Sequence, residues 1–154
     1  MHPRNREVQD ALHRAGVDSE IVRLDEHART AVLAAEQLGC PVAAIANSLV
    51  FLADGEPLLV MTSGAARVDT AVVARAVGAT QVDKAGADQV RAATGQVIGG
   101  VAPTGHPRPL RTLVDEDLRA QPTVWAAGGT PDTIVPMTFD QLVRLTDGTV
   151  TAVR

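Results

Sequence analysis

The feature that most constrains this chain is "NSLVFLADGEPLLVMTSG", residues 47 to 64, in which two apolar runs flank one Asp-Gly dipeptide. Asp-Gly supplies the positive φ values of a tight hairpin turn, so two neighbouring antiparallel strands are expected here. Both runs are too apolar to face water, so the remaining chain must cover them.

The flanking segments offer that cover. Asn5 is expected to cap a first helix with Val8, Ala11, Leu12 and Ala15 along one face, ended at Gly16. "EIVRL", residues 20 to 24, alternates as a half-buried strand. Thr30 caps a helix that turns Ala31, Ala34, Ala35 and Leu38 inward and stops at Gly39, and Asp69 caps another through "TAVVARAVG". A short strand "TQV", a helix in "AGADQVRAATG" and strands in "TLVDE", "TVWAA" and "DTIVPM" follow. The last helix opens on a capping box of Thr138 and Gln141 and closes near Gly148. Strands and helices alternate too irregularly for a repeated strand-helix-strand unit, which points to an α+β fold with helices on a mixed sheet.

The 154 residues fit a single domain spanning 1–154. A net charge of -4 argues against a surface that tracks nucleic-acid phosphates without regard to sequence, which leaves DNA out as a partner and allows recognition of one nucleic-acid end. Thirteen of the fourteen basic residues are arginine; the lysine is Lys84. One cysteine, Cys40, fits a reducing, cytoplasmic setting and reads as a small buried hydrophobe after a helix-ending glycine. No apolar window has the length of a membrane span or a signal peptide.

"TGQVIGGVAPTGHPRP", residues 94 to 109, holds four glycines and three prolines and can neither continue a helix nor pair as a strand. It lacks the lysine of a phosphate-binding "GxxxxGK" loop and the spacing of a dinucleotide fingerprint. Gly99, Gly100 and Gly105 can present consecutive amides to an oxygen, with Pro103 and Pro107 stiffening the frame, or the loop is a plain connection. His106 is a candidate general base or an ordinary loop histidine. Asp115 follows an apolar run, where it can cap a following helix or bind a ligand amine or ribose hydroxyl. Thr30 and Ser48 are hydroxyls at a helix cap and in a strand that can face a pocket, and "AAGGTPDT", residues 126 to 133, reads as a structural turn. His2, His13 and His27 show no ligand spacing with Cys40, so no metal and no cofactor is expected.

Taken in order, "TAVLAAEQLGC", "IANSLVF", "LLVMTSGAARVD", "TGQVIGGVAPTGHP", "LVDEDL" and "VWAAGG", with a closing strand, resemble the YbaK-like domain. This is the prolyl-tRNA-synthetase-associated family of aminoacyl-tRNA deacylases, and the resemblance spans about residues 20 to 154. It implies a curved mixed sheet, partly closed like a barrel and flanked by helices. It also implies a free-standing enzyme that hydrolyses the ester of mischarged prolyl tRNA. Its partners would be the aminoacylated 3′ adenosine of the acceptor end and, as a candidate, prolyl-tRNA synthetase. By the same resemblance Gly99, Gly100, Val101, Ala102, Pro103 and Gly105 line the pocket, with the Gly100 amide acting on the substrate. The family's hallmark lysine, in a segment of the form "IVKSLVF", is replaced here by Asn47, which can donate hydrogen bonds and carries no charge. Three readings follow: a deacylase that uses Asn47, the loop amides and a bound water; a binding module that keeps the pocket with weakened catalysis and holds an aminoacyl end, a nucleotide or a small molecule; or an unrelated function on the same fold.

Overall fold

The hairpin forms as its composition demands. In the structure, a computed structural model that describes residues 1–25 and 30–154, β2 (Ile45–Ala53) and β3 (Glu56–Ser63) pair antiparallel from Ala46–Ser63 to Ala53–Glu56. Asp54 and Gly55 make the turn at φ 49° and 87°. The Asp54 carboxylate also accepts hydrogen bonds from the amides of Thr80 and Gln81, and these hold its pKa below the ordinary aspartate value. The hairpin tip is thereby tied to β4 (Val82–Lys84), which pairs back onto β2 at Phe51, Leu52 and Ala53.

Among the described residues the sheet runs β1 (Val22–Arg23), β7 (Thr133–Met137), β6 (Val124–Ala127), β2, β3, β5 (Arg111–Asp115) and β8 (Thr149–Thr151). The contacts β2–β6, β3–β5 and β5–β8 are parallel and the others antiparallel, giving the expected mixed α+β sheet. Its terminal strands β1 and β8 do not pair with each other, so the sheet is not closed.

Side-chain alternation divides the core by sheet face. Ala46, Val50, Leu59 and Met61 pack with Val8 and Leu12 of α1 (Pro3–Arg14), Val90 of α4 (Ala87–Thr94) and Leu142 of α5 (Phe139–Thr146). On the opposite face Phe51, Leu58 and Val60 lie under Val73 and Val77 of α3 (Thr70–Val77). Ile45 and Ile134 lie under Ala34 and Ala35 of α2 (Ala31–Leu38), whose short alanines let the helix approach closely. Thr30, Asp69 and Thr138 cap their helices through side-chain oxygens as expected.

Three expectations change. Asn5 is not a cap: α1 starts at Pro3, which has no N–H to leave unpaired, and His2 caps it by accepting from the Arg4 amide at 3.1 Å. The strand expected over residues 20–24 is the two-residue β1, because Leu24 turns inward onto the α2 cluster. The strand expected at "TQV" runs instead over Val82–Lys84. The helix-capping reading of Asp115 holds: it caps a short 3-10 helix, Glu116–Ala120, through the Asp117 amide.

The two edges of β2 have different neighbours. Along one edge β3 pairs with it throughout. Along the other, β6 takes Ile45 and Ala46, β4 takes Phe51 to Ala53, and the strand between them has no neighbouring strand. The sheet therefore forks at residues 47–50.

Candidate active site

A cavity of about 340 Å³ opens at the fork, at the small end of the range for ligand sites. Its walls are Thr30, Ala31 and Ala34 of α2, Ile45 to Leu49 of β2, Ile98, Gly99 and Val101 of the glycine-rich loop, Trp125 and Ala127 of β6, and the turn residues Pro131 and Thr133. Short side chains, Ala31 and Ala34, Ala46 and Ala127, line it from three elements.

The polar groups in its wall divide into bonded hydroxyls, those of Thr30, Ser48 and Thr133, and donors without a partner among the described residues. Asn47 is half-buried, and its carboxamide makes no hydrogen bond among the described residues. In the glycine-rich loop the Gly100 amide donates to the Val97 carbonyl at 2.9 Å, closing a turn whose third residue, Gly99, stands at φ 89°. The Ala102 amide donates to Gln96 Oε1 at 2.8 Å. The amides between them, of Gly99 and Val101, have no acceptor among the described residues, and both residues line the cavity. Ser48 is also in the wall, with its hydroxyl donating to Met61 Sδ at 3.2 Å. The Gly64 amide meets the Ile45 carbonyl on the β3 side while the Ala85 amide meets the Val50 carbonyl on the other. The two-residue alternation therefore turns the Ser48 backbone groups toward the open edge.

The remaining sequence candidates divide between this cavity and elsewhere. Thr30 lines it while its hydroxyl oxygen accepts from the Leu33 amide at 3.2 Å. Gly100 does not offer its amide: it is buried, and a Cβ there would lie 2.6 Å from the Thr130 carbonyl carbon and 2.7 Å from Pro131 N. Its role is close packing of one glycine turn on another. Pro103, Gly105 and His106 lie on the far side of the loop, around a separate hollow with Arg14 of α1. His106 donates from Nε2 to the Ala102 carbonyl at 2.8 Å, and burial lowers its pKa, so it braces the loop as a neutral ring. Asp115 is buried away from the cavity, its carboxylate accepting from Thr62 Oγ1, the Ser63 amide and the Asp117 amide. All three bonds are internal to the fold, and Asp115 is not among the residues that line the cavity. Cys40 packs beside the α2 cluster, and burial raises its thiol pKa, as suits a small hydrophobe. His27 lies outside the described residues.

Sequence reasoning missed the support behind the cavity. The buried amide of Asn5 reaches the Gly128 carbonyl at 2.8 Å and the hydroxyls of Thr130 and Thr133 at 3.1 Å each. A Cβ on Gly129 or on Gly105 would lie 3.0 Å from Val8 Cγ2. One helix therefore supports both glycine segments. Trp125 and Pro131 in the wall carried no signal beyond belonging to short strand and turn motifs.

A larger depression of about 1050 Å³ lies elsewhere, between the hairpin tip, α4 and the segment Pro107–Arg111. It shares no lining residue with the forked site. It carries Arg108 and Arg111, whereas the loop residues Ile98, Gly99 and Val101 line the fork.

Comparison with known proteins places this geometry. Residues 25–145 match the aminoacyl-tRNA editing domain. The chain belongs to that family. The editing domain is 35% identical over 96 residues to the proline-tRNA ligase of Leuconostoc citreum, a match that takes in 62% of this chain and 16% of the ligase. It thus spans about a sixth of the length of that relative. It is 26% identical over 126 residues to the Bacillus subtilis protein YwhH, covering 81% of this chain and 80% of that one. Among solved structures it superposes with a TM-score of 0.95 and 39% identity on a protein described as a proposed trans-editing enzyme for prolyl tRNA synthetase, over 100% of this chain and 98% of the other.

Proposed function

We propose that this editing domain is an aminoacyl-tRNA deacylase, hydrolysing the ester between a wrong amino acid and the 3′-terminal adenosine of a tRNA. The observation that carries the reading is the set of unpaired donors, Asn47 and the Gly99 and Val101 amides, on one narrow cavity of a chain in this family. Water adds to the ester carbonyl, its electrons moving to the carbonyl oxygen. Collapse of the tetrahedral species breaks the bond to the ribose oxygen, which takes up a proton, releasing the amino acid and an intact tRNA end. An activated ester needs no covalent intermediate; donors aimed at the developing oxyanion and a positioned water are sufficient. The modest volume of the cavity, about 340 Å³, favours a small side chain such as Ala, Ser or Cys. Similarity to the ligase and to the proposed trans-editing enzyme favours prolyl tRNA as the substrate, cleared in trans in the cytoplasm, with residues 1–154 acting as one domain.

Asn47 supports a second reading, a binding module with weakened catalysis, because an amide lacks the charge of the lysine that the family pattern places there. Single-turnover deacylation of tRNA carrying Ala, Ser, Cys or Pro decides between them. A deacylase releases at least one amino acid, and Asn47→Ala slows that release by about 10²-fold, the usual cost of one oxyanion donor. Wild-type protein inert on every substrate, with activity appearing in Asn47→Lys, establishes the binding module instead.

A further inference from the structure

The fork holds a second, smaller cavity of about 140 Å³ that shares Ser48, Leu49, Ile98 and Val101 with the site. Lys84, the lysine of the chain, forms part of its wall. It stands opposite Phe51 across the β2–β4 pair, and directly opposed residues share a sheet face, so Lys84 lies on the face that carries Asn47, Leu49 and Phe51. Four residues of strand separate Phe51 from Asn47, roughly 13 Å.

Lys84 is exposed, and its ammonium makes no hydrogen bond or ion pair among the described residues. Of the described residues lining the two confluent cavities it is the one cation; Arg108 and Arg111 belong to the large depression instead. In a chain of net charge -4, a phosphodiester reaching the fork meets local attraction at this point.

We propose that Lys84 binds a backbone phosphate of the RNA end whose terminal ester occupies the Asn47 cavity, an inference that rests on the deacylase reading. A flexible ammonium suits a phosphate that arrives on a mobile single strand. The charge that position 47 lacks is thus supplied from β4, for binding and not for the oxyanion.

The test titrates a fluorescent single-stranded RNA ending in CCA against wild type, Lys84→Ala and Lys84→Arg over a range of salt. Lys84→Ala is expected to weaken binding roughly tenfold at low salt. It should also flatten the slope of log K against log salt by about 0.7, the contribution of one phosphate contact on a single strand, while Lys84→Arg keeps both. Wild-type affinity and slope in Lys84→Ala overturn the proposal, as does an RNA that wild type fails to bind. In parallel, hydrolysis of 3′-alanyl adenosine with and without a 5′-phosphate is followed. Lys84→Ala should slow only the phosphorylated ester. If it slows neither while wild type cleaves both, the Lys84 assignment fails and the deacylase stands. If wild type cleaves neither, and is inert on charged tRNA as well, the deacylase reading fails and the RNA titration still decides Lys84.

Discussion

Two glycine turns in this molecule answer to different physics. At Asp54–Gly55 a side chain on the glycine would meet nothing within 4 Å, and the residue is there for its φ of 87°. At Gly100 the φ is unexceptional, and the residue is there because the backbone of Thr130 and Pro131 lies where a Cβ would sit. The first turn follows from local conformational preference and the second from a contact made across the fold.

That distinction gives ordered expectations. Gly100→Ala forces two backbones apart in a close-packed region and should lower stability by about 3 kcal/mol, the upper end for overpacking, and abolish deacylation. Urea unfolding with single-turnover assays measures both. Asn5→Ala strands polar groups of the 128–133 turn and should lose about 2 kcal/mol. Because that turn is a wall of the cavity, turnover should fall more than RNA affinity. Gly55→Ala should lose only about 1 kcal/mol, from an alanine held at positive φ, and leave activity intact. Equal loss of activity at positions 55 and 100 would erase the difference between the turns.

The smallest effect concerns His106, the brace of the same loop. Its pKa lies below the ordinary 6.5 in the folded state because burial disfavours the charged ring. The unfolded chain therefore binds the proton more readily: stability is full above pH 6.5 and declines as pH falls through the folded value. The urea midpoint of His106→Gln should lack that part of the decline. An identical pH profile in the two proteins would show that the ring is not held neutral.

What was legible in the sequence was what short-range chemistry decides. The Asp-Gly turn and the Thr30, Asp69 and Thr138 caps each depend on neighbours a few residues away, and each formed. Asn5 looked like a cap because asparagine usually is one near a helix start; its partners lie 123 to 128 residues away. His106 and Pro103 share a loop with Gly99 and face a different hollow, because the Val97–Gly100 turn and the Gln96 bond to Ala102 set which side each residue presents. The cavity was hidden for a related reason. It exists because β6 and β4 take the same edge of β2 and leave a gap, and no pattern within one segment encodes a gap between two others.

That gap has a consequence for how the protein tolerates mutation. Groups offered there by Ser48, Gly99 and Val101 include main-chain atoms, which no side-chain replacement other than proline removes. A substitution scan should find these positions more permissive than their importance warrants, limited by packing and backbone geometry. Amide-to-ester exchange at Gly99 or Val101, which deletes the N–H and keeps the side chain, should slow catalysis without the loss of packing that Gly100→Ala causes.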